Sequence, residues 1–125
     1  MTAKRIARGM GVALALLATI PAFAAGDPGR GKALYETFCS GCHSVDSNRV
    51  GPAHRGVFGR KAGSAAGYSY STTVAESSVI WSETSLDRWL LDPEKFIPGQ
   101  KMGVSVANAA DRQDLIAYLK ALPSR

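Results

Sequence analysis

The chain has 125 residues, 46% of them hydrophobic and 20% charged, which excludes a disordered tail and leaves room for one small domain. Its formal charge is +5, from 15 Lys and Arg against 10 Asp and Glu, and Lys4, Arg5 and Arg8 supply three of the five excess charges. The remaining 12 basic and 10 acidic residues form no extended basic run, which argues against nucleic acid as a partner.

The first segment reads as an address. Met1 to Arg8 is basic without an acidic residue, Met10 to Ile20 is almost wholly apolar, and Pro21-Ala22-Phe23-Ala24 follows. A basic start, a short apolar stretch and small residues before a cut describe a secretory signal peptide, with cleavage placed after Ala24. The apolar run is shorter than the roughly 20 residues that span a bilayer, and it stops at Pro21. Residues 1–24 are therefore read as a cleaved leader and 25–125 as the mature domain, exported to the periplasm and not membrane-spanning. Export puts Cys39 and Cys42 in an oxidising compartment.

Asp27-Pro28 has the pattern of an N-cap and first helical position. Gly31, Leu34, Tyr35 and Phe38 behind it fall on one helical face. Glycine in a helix interior costs about 1 kcal/mol relative to alanine, so Gly31 points to a second helix approaching closely. From Ser44 to Ser78 there are five glycines and many serines without a sustained period, which predicts loop, with a short helical turn after Ser71. A third helix is expected from about Ser82 or Thr84 to Asp92, turning Leu86, Trp89 and Leu90 inward and stopping at Pro93. Asn108 caps the last helix, with Asp111 in its first turn and Leu115, Tyr118, Leu119 and Leu122 as its apolar stripe. There is no strand-like alternation, so the fold class is all-α. A loop this long is uncommon in a compact domain and implies that something other than side chains occupies the middle.

Cys39-Ser40-Gly41-Cys42-His43 has the C-x-x-C-H spacing of c-type haem attachment. Two thiols separated by two residues can each add to one porphyrin vinyl group, which sets the adjacent imidazole against one face of the ring. Three other readings are weaker. A disulfide across two residues closes too small a loop to stabilise much. A redox dithiol should accompany a βαβ pattern, which is absent. A zinc site needs four ligands, and beyond residue 24 only Cys39, Cys42, His43 and His54 are Cys or His. Met102 is the only thioether beyond residue 24 and follows Pro98-Gly99 in a turn, which favours it as the sixth iron ligand over a core methionine. Its only competitor is His54.

Beyond residue 24 the chain resembles the small soluble, single-haem, His/Met cytochromes c of class I, the short bacterial and mitochondrial type. The likeness lies in Gly31 and Tyr35, Cys39-x-x-Cys42-His43, Gly51-Pro52, Gly56-Val57-Phe58-Gly59-Arg60 and Gly67-Tyr68-Ser69-Tyr70. Trp81, Pro98 to Met102 and Leu115 to Leu119 complete it. The resemblance implies a cytochrome c fold in which the first and last helices cross near Gly31, Tyr35, Leu115 and Tyr118. It implies one haem c bound through Cys39 and Cys42, with His43 and Met102 on the iron and the Pro52 carbonyl accepting from His43. It also implies that Arg60, Tyr70 and Trp81 hydrogen-bond the inner haem propionate, because a buried carboxylate must be paired or bonded. Trp89 and His54 depart from the family pattern. Trp89 replaces a tyrosine near the methionine sulfur, and an indole N–H only donates. His54 replaces an apolar haem-packing residue; it either lines the haem crevice or, the favoured reading, turns outward as an ordinary surface histidine.

Two strong axial ligands leave no vacant position on iron, which argues for electron transfer rather than catalysis, and a His/Met pair raises the potential. The expected function is a periplasmic one-electron carrier, monomeric, that meets redox proteins transiently, with Lys32, Lys95 and Lys101 as candidates for a docking rim. A haem enzyme or gas sensor with a labile Met102, and a dedicated electron-transfer subunit of a dehydrogenase, are the alternatives.

Overall fold

Asp27 accepts hydrogen bonds from the backbone N–H of Gly29 and Arg30, and with Pro28 at the first helical position it starts α1, Pro28–Phe38. The computed structural model describes residues 25–124, so the signal-peptide reading of 1–24 lies outside the described residues. Four more helices follow: α2, Thr72–Ala75; α3, Glu83–Leu91; α4, Pro93–Phe96; and α5, Ala109–Ala121. Among the described residues the sheet content is one isolated bridge between Lys61 and Ile80. The all-α expectation agrees with this architecture.

The other helix starts also follow from local chemistry. Ser71 caps α2, Ser82 and Ser85 form a reciprocal capping box on α3, and Asn108 accepts from the Asp111 N–H at the start of α5. The expected stop at Pro93 agrees with the structure, where α3 ends at Leu91, but a further short helix follows at once. Asp92 ends α3 and, by accepting from the Lys95 N–H, immediately caps α4, where Pro93 is the first residue.

The main helix pairing is α1 across α5, while α3 packs on α5 and α4. Gly31 makes the crossing possible. A β-carbon there would come within 1.9 Å of the Asp114 carbonyl oxygen and 2.8 Å of Tyr118 Cβ. Tyr35 is 5% exposed and its ring lies 5.1 Å from that of Tyr118. Leu115, Ile116 and Leu119 are the buried stripe of α5, with Tyr118 half-buried. Phe38, the last residue of the Gly31 face of α1, is 38% exposed at the end of that helix.

The segment between α1 and α2 is ordered by hydrogen bonds rather than by helices. Asn48 accepts from the Ala53 N–H and donates to the Ala66 carbonyl, both at 2.9 Å. The Tyr68 hydroxyl donates to the Val50 carbonyl at 2.6 Å. Gly59 N–H donates to Trp81 O, and Trp81 N–H returns to Arg60 O. These ties bend the long segment around a cavity of about 310 Å³, within the size range of cofactor sites.

Candidate functional site

The end of α1 builds one wall of the cavity. Cys39 N–H donates to Tyr35 O, and the N–H groups of Cys42 and His43 both turn back to Cys39 O, which winds residues 39–43 into a tight turn. Arg49 holds this turn from outside: its guanidinium donates to the carbonyls of Ser40 at 2.6 Å and His43 at 3.3 Å. The two cysteines are not joined to each other; Cys39 is half-buried and Cys42 exposed. Burial pushes the Cys39 thiol up to about 11. Among the described residues there is no group of three or more His, Cys, Asp or Glu poised to hold a metal ion, which disfavours the zinc reading.

His43 lines the cavity beside the two cysteines. Its Nδ1–H donates to the Pro52 carbonyl at 2.8 Å, which leaves Nε2 as the free lone pair. Burial lowers its pKa, the Pro52 hydrogen bond partly opposes that, and Arg49 lowers it further. A neutral imidazole with one nitrogen already committed is the form that ligates a metal.

His54 does not turn outward. Its ring stacks on that of His43, with centroids 4.0 Å apart and planes at 20°, and its Nδ1 is 2.9 Å from the Tyr35 hydroxyl. It therefore lines the crevice, the less favoured of its two sequence readings. The reason is tertiary: the backbone bonds from His54 N to Ser44 O and from Val57 N to His54 O turn the loop inward toward Tyr35. Burial, then His43 and Arg60, hold its pKa down at about 3, so the ring is neutral.

Met102 lines the same cavity with Lys101, Gly103 and Val104. The Pro98-Gly99 turn that presents them is tied to α4, because Glu94 accepts from the Gly99 N–H at 2.9 Å and from the Gln100 side chain at 3.2 Å. Gln100 in turn accepts from the Met102 N–H. Trp89 lines the same cavity and packs against Trp81, ring centroids 5.4 Å apart.

Pro52, Arg60, Tyr70 and Trp81 all line it as well. Arg60 donates to the carbonyls of Arg55 and Ala53, both at 3.0 Å, but its Nε is buried without a hydrogen-bond partner among the described residues. Leaving a buried charged donor unmet is costly. The Tyr70 hydroxyl accepts from the Ala65 N–H at 3.0 Å and keeps its own proton to give. The lining offers a buried arginine Nε–H and the Tyr70 hydroxyl to a carboxylate, with two cysteine sulfurs, an imidazole Nε2 and a thioether beside a largely apolar surface.

Every residue that the sequence assigned to the site therefore lines one cavity. Of the three candidate rim lysines, only Lys101 does; Lys32 and Lys95 are exposed elsewhere on the surface. Sequence reasoning missed Arg49, whose only signal is a basic residue near the carbonyls ending α1, and the pairing of His54 with Tyr35.

The family model described as Cytochrome c matches residues 29–123. The chain is 44% identical over 101 residues to the cytochrome c of Gibberella zeae, covering 78% of this chain and 95% of that protein. It is 42% identical over 100 residues to that of Euglena viridis, covering 78% and 98%. Among solved structures it is similar to cytochrome cH from Methylobacterium extorquens, with a TM-score of 0.73, 39% identity, and coverage of 76% of this chain and 98% of that one.

Proposed function

The chain belongs to the cytochrome c family of haem-bearing electron carriers, and from that premise we propose that it is an exported, periplasmic one-electron carrier with His43 and Met102 as its axial ligands. The family binds haem c covalently through a cysteine pair, which here is Cys39 and Cys42 in C-x-x-C-H spacing. When bound, the haem supplies an iron that passes between ferrous and ferric states by one electron. The observation that carries the reading is that both thiols, His43 and Met102 line the same cavity.

Each remaining residue has a task toward that group. The Pro52 carbonyl fixes the His43 tautomer and raises its basicity. Arg60 and Tyr70 offer an Nε–H and an O–H to a propionate, and the buried Trp81, 8% exposed, closes the cavity beside them. Met102 gives a soft thioether that favours the ferrous state. Val57, Leu86, Leu90, Val106 and Leu119 supply a dry apolar lining. Low polarity and a rigid frame keep the rearrangement that accompanies a one-electron change small.

Carriers of this family meet redox partners transiently, and such encounters bury little surface. At the cavity mouth Phe38, Val50 and Val104 are exposed, and Val50 is 73% accessible. With Lys101 beside them they form a small apolar patch with a positive charge, suited to brief docking by a monomer. No helix among the described residues is long and apolar enough to cross a membrane. Export follows from reading residues 1–24 as a cleaved leader.

The test is the protein from its own host. A periplasmic fraction should contain a red protein beginning at or near Ala25, heavier than its chain by one haem. Its ferric spectrum should show the far-red sulfur-to-iron band, and its ferrous form should not bind carbon monoxide. Colourless material with two free thiols would overturn the haem reading; avid carbon monoxide binding would overturn Met102 ligation and favour an enzyme or sensor.

A further inference from the structure

The His43 ring is held by more than its hydrogen bond. A ring bonded through Nδ1 to the Pro52 carbonyl at 2.8 Å can still swing about that bond. Two neighbours remove the freedom. A β-carbon on Gly51 would lie 2.2 Å from His43 Cε1, 2.5 Å from Nδ1 and 2.6 Å from Nε2. Near-equal distances to the middle atom and both its neighbours place that point over the face of the ring, not at its edge. The backbone of Gly51 is therefore one wall. The His54 ring, stacked at 4.0 Å and 20°, cannot share that face with Gly51, so it forms the opposite wall.

The Gly51 wall is main chain, tied by its N–H to Cys42 O at 2.9 Å. The His54 wall is a side chain and needs a tether. Tyr35 supplies it through the 2.9 Å contact between its hydroxyl and His54 Nδ1, with the two rings edge to face at 5.6 Å. Tyr35 is itself locked in the α1–α5 crossing against Tyr118. We propose that Tyr35 and His54 are positioning residues that fix the plane of the His43 ring in a slot against Gly51, and so tie the proximal ligand to the helix crossing. The inference rests on His43 being the iron ligand. The plane of an axial imidazole decides which iron d orbital it overlaps, so the slot sets the electronic structure of the ferric state as well as the ligand's place.

The experiment uses the holoprotein and reads the haem-methyl proton shifts and EPR g values of the ferric form. Tyr35→Phe keeps the core ring and removes the tether. His54→Ala removes the wall, and His54→Phe restores a flat wall without the hydrogen bond. The expected result is displaced methyl shifts and g values in all three variants with the far-red sulfur-to-iron band intact, largest in His54→Ala, which loses the wall, and smaller and alike in Tyr35→Phe and His54→Phe, which lose only the tether. Tyr35→Phe with a wild-type pattern overturns the tether. His54→Ala with a wild-type pattern, or His54→Phe as displaced as His54→Ala, overturns the wall. If His54→Ala does not accumulate, Tyr35→Phe and His54→Phe decide between them. Failure of the underlying reading looks different: a wild-type protein without haem, or a His43→Ala variant that keeps the wild-type low-spin spectrum.

Discussion

Arg112 on α5 reaches Asp87 on α3, its Nε donating to the carboxylate at 2.8 Å, although 25 residues separate them. Its Nη1 also donates to the carbonyls of Val106 at 3.0 Å and Ala107 at 2.8 Å. Val106 N–H meanwhile donates to Leu90 O at 2.7 Å. One buried guanidinium thus fastens the far end of the Met102 segment, while Glu94 fastens the near end through Gly99 and Gln100.

Arg112→Ala is expected to cost about 2–3 kcal/mol, since it strands two carbonyls and leaves the partly buried Asp87 carboxylate without its ion-pair partner, held only by the 3.4 Å bond from Gln113. Chemical denaturation measures the loss. The far-red band should also disappear at a lower denaturant concentration than the helical signal does. Loss of both signals together would show that the Met102 segment does not depend on this anchor.

Gly31→Ala should destabilise the fold by about 1–3 kcal/mol, despite alanine's better helix propensity, because its β-carbon would overlap the Asp114 carbonyl and force α1 and α5 apart. Gly29→Ala, also on α1 but meeting only an Asp27 carboxylate oxygen at 3.1 Å, should be milder. Thermal denaturation of the two holoproteins makes the comparison.

Met102→Ala is expected to abolish the far-red band, open the ferric and ferrous iron to added ligands, and lower the reduction potential, because the soft thioether no longer favours the ferrous state. Spectroelectrochemical titration checks it. An unchanged potential would refute ligation by this residue.

Arg60→Gln is expected to lower the potential, since a half-buried cation lining the cavity disfavours the more positive ferric state. It should also weaken the fold by about 1–3 kcal/mol through the carbonyls of Ala53 and Arg55. Arg60→Lys keeps the charge but not the planar fork. It should retain more of the potential than of the stability.

The readings that held from sequence depend on atoms close together in the chain. Asp27, Ser82 and Asn108 cap the helices they precede because a short polar side chain reaches an N–H two or three residues on. Cys39, Cys42 and His43 were legible as one unit because a two-residue spacer limits what two thiols and an imidazole can jointly hold. Gly31 announced the helix crossing because it is costly in a helix and only close approach repays it. Arg112, by contrast, was not singled out. Arg112 is buried because carbonyls far from it in sequence need a donor, and no local pattern records that need.

By itself, then, the amino-acid order determined the anchors of the cofactor, the helix starts and the need for something in the middle of a long glycine-rich segment, all consequences of short-range geometry and composition. Only the tertiary structure decided that His54 faces inward onto His43, that Tyr35 holds it there, and that one arginine secures the methionine segment. Those outcomes turn on which groups meet after the chain has wrapped around its cavity, where burial and hydrogen bonding between distant residues outweigh the exposure a lone histidine or arginine ordinarily prefers.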